Sequence, residues 1–314
     1  MRVVFFGTPE FAVPSLDALL RSRHTVAAVV TQPDRPRGRG HQISASPVKV
    51  RALASSIPVL QPARLRDEVF LAALRALGAD LGVVAAYGRI LTEDVLRTPR
   101  LGMVNVHASL LPRHRGAAPV HRAIIAGDRE TGVTIMRVVL ALDAGPMLAA
   151  VRRPIGPEET SSEVERDLAL LGAPLLAGAV DALAAGTAVE TLQDEARATY
   201  AARLSKEDGD IDWSQPAPRI HDLVRGLHPW PHAQTRVHGA RLIVLRSSPA
   251  PDSAMPPASA PPGTVVSAAP DDLRVAAGQG VLRLLEIQRE GRRPMNAREF
   301  LAGHRLVPGD RLGP

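Results

Sequence analysis

The segment Leu81-Gly82-Val83-Val84-Ala85-Ala86 is apolar at every position. A strand with one face in water alternates polar and apolar side chains, so a run without alternation needs both faces covered. That is the condition of a strand in a parallel sheet between two layers of helices. Arg2–Gly7, 25–31 and 57–60 read as further strands, and 11–21, 48–55 and 69–77 carry apolar residues at helical spacing between them. The alternation continues through strand-like runs at 102–106, 132–139 and 147–152, a helical stretch at 117–126 and a long helical segment at 162–185. This order predicts an α/β fold built on an open, doubly wound, mostly parallel sheet with right-handed crossovers.

After Gly186 the pattern changes. Residues 188–209 have mixed polarity and little periodicity, the character of a linker running over a surface. From Ile211 onward, short runs at 233–237, 241–245, 263–266, 273–276 and 281–287 are separated by Gly, Pro and Asp, which predicts a small β-barrel. Residues 247–262 are so rich in Pro, Ala and Ser that a flexible loop between barrel strands is expected there. The domain plan is a first domain at 1–187, a linker at 188–209 and a barrel domain at 210–314.

With 314 residues, 45% of them hydrophobic, the chain is long enough for two packed cores. It contains no cysteine, which excludes disulfides, thiolate nucleophiles and cysteine-bound metal, and its ten histidines show no His-Glu-x-x-His or comparable spacing. The apolar stretch 168–186 is interrupted by Asp181 and no signal-like apolar segment opens the sequence, so membrane insertion and secretion are not expected. The expectation is a cytoplasmic, monomeric, metal-free enzyme. A net charge of +6 favours an anionic partner, but Lys49 and Lys206 are the only lysines, and an arginine-rich genomic bias accounts for the excess equally well.

Candidate chemistry lies where strands run out into loops. Alternate residues of an extended chain share a face, so Asn105 and His107 of Asn105-Val106-His107 point to one side. Asp143, in Leu142-Asp143-Ala144-Gly145, follows the run 132–139, so two neighbouring strand ends would bring amide, imidazole and carboxylate together. Such a trio suits acyl chemistry without metal or thiol. A lone histidine at a strand end is more often structural. Here the Leu110-Leu111-Pro112 turn and the segment from Ser109 to Pro119, read as opening a helix beside Arg113 and Arg115, converge on the same edge. Gly7-Thr8-Pro9 lacks the further glycines of a dinucleotide fingerprint, which disfavours dinucleotide binding. Arg35, Arg37, Arg39, Lys49 and Arg51 share one segment with no acid after Asp34. It reads either as a mobile loop that orders against phosphates or as a solvated surface loop.

Taken together, Phe6-Gly7-Thr8-Pro9-Glu10-Phe11, Thr31-Gln32-Pro33-Asp34-Arg35-Pro36 with Gly38-Arg39-Gly40, Asn105-Val106-His107 through Pro119, Leu142-Asp143-Ala144-Gly145, and Leu204-Ser205-Lys206-Glu207 leading to Ile211-Asp212-Trp213 resemble the methionyl-tRNA formyltransferase family over almost the whole chain. The resemblance implies a Rossmann-like formyltransferase domain, a linker and a C-terminal barrel of the oligonucleotide-binding (OB) kind. It implies formyl transfer from 10-formyltetrahydrofolate to the methionine amino group of initiator methionyl-tRNA. It places the family's catalytic residues on Asn105, His107 and Asp143, its folate-contacting turn on Ser109, Leu110, Leu111 and Pro112, and its tRNA-contacting loop on 34–46, with Arg35, Arg37 and Arg39. His114 stands where an aromatic residue is expected, and Pro146 where a polar one is. Two alternatives remain at this point: a folate-dependent formyltransferase of the same fold acting on an amino-sugar or glycinamide nucleotide, and a non-catalytic RNA-binding protein built on the barrel.

Overall fold

The computed structural model describes residues 1–37, 42–251 and 260–313. They form two compact units, the first of 1–119, 130–153 and 165–201 and the second of 120–129, 154–164 and 202–314. Of the stretch expected as a linker, 188–201 therefore pack with the first unit and 202–209 with the second.

The chain begins β1 (Arg2–Gly7), α1 (Val13–Leu20), β2 (Thr25–Val30), a two-stranded ribbon of β3 (Arg35–Arg37) and β4 (Gln42–Ser44), α2 (Pro47–Ala54), β5 (Val59–Leu60), α3 (Glu68–Ala76), β6 (Leu81–Ala85), α4 (Glu93–Arg97) and β7 (Met103–His107). It continues β8 (Arg115–Gly116), α5 (Pro119–Ile125), β9 (Glu130–Arg137), β10 (Met147–Pro154), α6 (Ser161–Ala185) and β11 (Tyr200–Ala201). Helix starts are written into the sequence: the Ser46 side chain accepts the Lys49 N–H ahead of Pro47, and the Asp67 side chain accepts the Val69 N–H.

The seven-stranded sheet has the order β10-β9-β7-β6-β1-β2-β5. The pairs β1–β2, β2–β5, β1–β6 and β6–β7 are parallel, as the unbroken apolar runs require, whereas β9 lies antiparallel to β7. From β1 the chain winds outward to β5, then returns to β6 on the other side, so the strand order reverses between β1 and β6. There the Thr8 hydroxyl and the Gln32 amide both donate to the Tyr87 carbonyl, at 3.0 and 3.1 Å. Val4, Phe6, Val84 and Met103 share one core with Phe70, Leu71, Leu74 and Val95 of α3 and α4. The opposite face is covered as well: Val3 and Phe5 are fully buried, and a Cβ on Gly172 of α6 would stand 3.1 Å from Val106 and 3.2 Å from Val133. Helix α6 is apolar and long enough to cross a membrane, with a mean hydropathy of 1.9, yet Leu168, Leu176 and Val180 along it are fully buried in the protein. A core helix has the same composition.

The second unit carries α7 (Ala217–Gly226), β12 (Ala233–Val237), β13 (Ala240–Pro249), β14 (Val265–Ala269), β15 (Asp272–Ala276), β16 (Val281–Arg289), β17 (Met295–Asn296) and α8 (Ala297–Gly303). Its sheet has the order β12-β13-β16-β15-β14, with antiparallel pairs throughout. The C-terminal segment joins its two edges, Leu312 bridging Val237 of β12 and Arg311 bridging Thr264 beside β14. That closure removes free strand edges and gives the small barrel. Trp213, Leu242, Val244, Leu273, Leu282, Leu284 and Phe300 fill its core.

Besides the short α4, two helices of this unit escape the sequence reading. Helix α7 buries only Ala217, Ile220, His221, Val224, Arg225 and Gly226, so two of its six inward residues are polar, and α8 is a single capped stretch in which Asn296 and Glu299 form a reciprocal capping box. Ser247 to Pro249 extend β13 instead of joining the expected flexible loop, and residues 252–259 of that loop lie outside the described residues. Helix α5 starts at Pro119, not at Ser109, because the intervening chain forms the short strand β8.

A Cβ on Gly132 would sit 2.1 Å from the Val151 carbonyl oxygen and 2.5 Å from Leu110 Cδ2. Because backbone stands in the way, Gly132→Ala is expected to lower stability by about 1–3 kcal/mol, read as a lower urea midpoint at unchanged m-value.

Candidate active site

Strand β7 lies inside the sheet, with Asn105 opposite Val84 of β6 and Met136 of β9. Asn105 and His107 share the face of Met103. The Asn105 side chain is half-buried, and among the described residues nothing hydrogen-bonds its amide. His107 is buried; its Nε2 lies 3.0 Å from the His114 carbonyl and its Nδ1 3.6 Å from Asp143 Oδ2. A carbonyl only accepts, so Nε2 carries a proton in either charge state. A second proton on Nδ1 would face the carboxylate, so the ring can take up a proton there with the counter-charge already in place.

Asp143 reaches this position by a route that the strand pattern does not show. Because β9 runs antiparallel to β7, Thr134 stands opposite His107 while Arg137, at the end of β9, stands opposite Val104. The two strand ends point apart, which corrects the expectation of neighbouring ends. It is the loop 138–146 that doubles back and delivers Asp143. Asp143 adopts a left-handed backbone with φ +47°, a conformation an aspartate tolerates better than most residues. Its Oδ2 accepts the Gly116 N–H at 2.9 Å. At Gly145 a Cβ would lie 2.0 Å from the Arg137 carbonyl, so the returning loop passes where only glycine fits.

The turn after β7 is anchored by β9. The Thr134 hydroxyl donates to the Ser109 carbonyl at 2.7 Å and accepts the Leu111 N–H at 3.2 Å, and the Ser109 hydroxyl donates to the Arg113 carbonyl. Ser109 and Leu111 are buried, and Leu110 and Pro112 half-buried, directly beside the trio. Arg35 is exposed on β3, paired with Ser44. Arg37 ends that strand, and Arg39 lies outside the described residues. Lys49 and Arg51, expected in the same basic loop, stand on α2 and are ion-paired with Asp34 and Asp17. The Lys49 ammonium and the Gln61 amide hold the Asp34 carboxyl below its usual range.

Asn105, His107 and Asp143 thus stand at one edge of the sheet, with one amide unengaged and one imidazole set against a carboxylate. The formyl transferase family pattern matches residues 1–180, and that of the formyl transferase C-terminal domain matches 203–305. The chain is 49% identical to the methionyl-tRNA formyltransferase of Solibacter usitatus, covering 100% of this chain and 99% of that one. It is also 49% identical to that of Methylococcus capsulatus, covering 100% of both. The chain belongs to the methionyl-tRNA formyltransferase family. Similar solved structures are WlaRD, a sugar 3N-formyl transferase (TM-score 0.67, 15% identity, 93% of this chain and 99% of that one), and the N-formyltransferase of Helicobacter canadensis (TM-score 0.66, 15% identity, 91% and 98%). At that identity the likeness is one of fold.

In this member of the methionyl-tRNA formyltransferases the trio is braced by residues that sequence reasoning passed over. Gln193 and Glu195 sit in the stretch expected as a surface linker. The Gln193 amide donates to the carbonyls of Asp143 and Gly145, at 2.8 and 2.7 Å, and its oxygen accepts Arg115 Nε at 3.0 Å. Arg115 is buried and grips both Glu195 oxygens, at 2.9 and 2.7 Å. Thr199 and Ala201 pair with the chain at 114–118 through four further N–H groups. A single polar residue in an aperiodic stretch leaves no sequence signal, and Arg115, flanked by His114 and Gly116, gives none of its burial.

The Arg115 guanidinium holds the exposed Glu195 carboxyl below its ordinary range, and Glu195 in turn raises Arg115. A carboxyl lowered on folding stabilises the protein above its unfolded value, near pH 4.3, and that contribution is lost as pH falls through the lowered folded value. The wild-type melting temperature is therefore expected to drop more on acidification below about pH 4.3 than that of Glu195→Gln, as thermal melts across that range will read.

Proposed function

We propose that the chain transfers a formyl group from 10-formyltetrahydrofolate to the free amino group of methionyl initiator tRNA, in the cytoplasm and for translation initiation. The observation that carries this reading is the full-length likeness to methionyl-tRNA formyltransferases, at 49% identity, with Asn105, His107 and Asp143 set at one edge of the sheet. In the transfer the amine nitrogen forms a bond to the formyl carbon, the bond from that carbon to the folate nitrogen breaks, and the proton lost by the amine ends on the folate. Asn105 donates from its unengaged amide to the oxygen that gains negative charge. His107 holds or passes a proton at Nδ1, and Asp143 orients it and balances its charge. Among the described residues no cluster of three or more histidine or acidic side chains offers a metal site, and these three groups supply donor, proton carrier and counter-charge.

The turn Ser109, Leu110, Leu111 and Pro112 borders the pterin-bearing substrate in this reading. The Ser109 hydroxyl already donates to Arg113, so Ser109 would contribute through its place in the turn. Arg35, Arg37 and Arg39 supply positive charge for the tRNA backbone, and the barrel unit offers a second surface for RNA. The protein acts as a monomer.

Tetrahydrofolate release from 10-formyltetrahydrofolate tests the assignment, with methionyl initiator tRNA, uncharged tRNA and an amino-sugar nucleotide in parallel. Release with methionyl-tRNA alone is expected; release with the sugar nucleotide alone overturns the substrate, and binding of tRNA without release overturns the enzyme. Asn105→Asp keeps the shape and loses the donor, and should lower kcat by about 100- to 1,000-fold with KM little changed. Arg39→Ala should raise KM for tRNA and leave folate affinity unchanged, which equilibrium folate binding will show.

A further inference from the structure

The loop that carries Asp143 has little to hold it by packing. Past Val138, which packs against the sheet core, Leu140 and Leu142 are 64% and 53% exposed, and Val139 is exposed too, so hydrophobic burial does not order residues 139–142 ahead of the aspartate. Asp143 itself takes a left-handed backbone, so the contacts around the turn have to hold it there. Hydrogen bonds hold it: the Arg137 N–H donates to the Pro146 carbonyl, the Ala144 N–H to the Ala141 carbonyl and the Gly116 N–H to Asp143 Oδ2, and two more come from one side chain. The Gln193 amide nitrogen reaches the carbonyls of residues 143 and 145 together, spanning the turn in which the aspartate sits. Gln193 is buried, and Arg115 fixes the direction of its amide by donating from Nε to its oxygen. With the amide so oriented, its nitrogen must face the turn, and a flipped amide would set its oxygen against two carbonyls.

Just before Gln193, Thr191 pairs with Met147 through two backbone bonds of 2.8 Å, and just after it Thr199 and Ala201 pair with the segment that bears Gly116. The chain from 191 to 201 is thus a strap fastened at both ends. One end is tied behind the Asp143 turn, and the other behind the Gly116 N–H that the carboxylate accepts.

We propose that Gln193 is a positioning residue for the Asp143 carboxylate, holding the aspartate turn in the one conformation that faces His107, and that Arg115 locks its amide. The proposal rests on the formyl-transfer reading for its kinetic consequence, while its structural consequence stands without it.

A double-mutant cycle supplies the kinetic test. Gln193→Met keeps the length of the side chain and loses both donors and acceptor. It is expected to lower kcat about 100-fold, the cost of a roughly 1 Å misplacement, with KM for either substrate little changed. Gln193→Glu retains the acceptor for Arg115 and should lose nearly as much. In the Asp143→Asn background, Gln193→Met should cost less than about twofold, because a residue acting through a group loses its effect when that group is gone. An equal factor in both backgrounds overturns the proposal. The test independent of the reaction is amide hydrogen exchange. Exchange at Gly116 and across 143–147 should quicken in folded Gln193→Met, as judged by unchanged far-UV circular dichroism, and unchanged protection overturns the proposal as well. Wild-type protein that releases no tetrahydrofolate would refute the assigned reaction, and the exchange result would still decide the role of Gln193.

Discussion

The Asp143 carboxylate sits where two chain segments of different origin meet, accepting the Gly116 N–H with the same oxygen that stands 3.6 Å from His107 Nδ1. Much of the first unit can be understood as what is needed to keep it there. A parallel strand after β7 would have ended beside His107. The antiparallel β9 places Thr134 there instead, and Thr134 ties down the turn at 109–111. The consequence is that the carboxylate must come back by a loop, and a loop with exposed leucines has to be held by polar contacts. Buried hydrogen bonds in a low-dielectric setting are well suited to that, since an unmet partner there is costly. Gly145 and Gly116 are the backbone conditions of the same arrangement: at either position a Cβ would collide with a carbonyl, that of Arg137 or that of Ala201.

The sheet, the helices around it and the strands of the barrel follow from periodicity, and residues such as Val83, Val84 and Val244 lie where apolar runs predict. So does the shared face of Asn105 and His107, which depends only on the two-residue repeat of a strand. The path of Asp143 was not legible, because strand direction is decided by connections and register and both orientations give the same apolar run. Helix α7 was hidden by polar residues on its buried side: His221 is buried with hydrogen bonds to Ser247 and the Pro157 carbonyl, and Arg225 is buried against Asp222. Gln193, and the burial of Arg115, were hidden for a related reason. A buried polar network is stabilised by geometry that only the folded chain supplies, and sequence composition prices such residues as surface.

Charge shows the same separation between composition and place. An excess of arginine marks the whole chain, but many of these side chains are spent within the fold, Arg51 on Asp17, Arg115 on Glu195 and Arg122 on Asp208. Net charge therefore overstates what is free to meet RNA. In the first unit, Arg35 on the ribbon is exposed, whereas Lys49 nearby is engaged with Asp34.

In the proposed reaction, imidazole and carboxylate act as one device at the sheet edge. Single-turnover transfer of a labelled formyl group, compared among His107→Ala, Asp143→Asn and the double variant, addresses it most directly. The double variant is expected to be no slower than the slower single one, because either loss disables the same proton-handling unit. Rate losses that multiply would contradict it and show the two residues working independently.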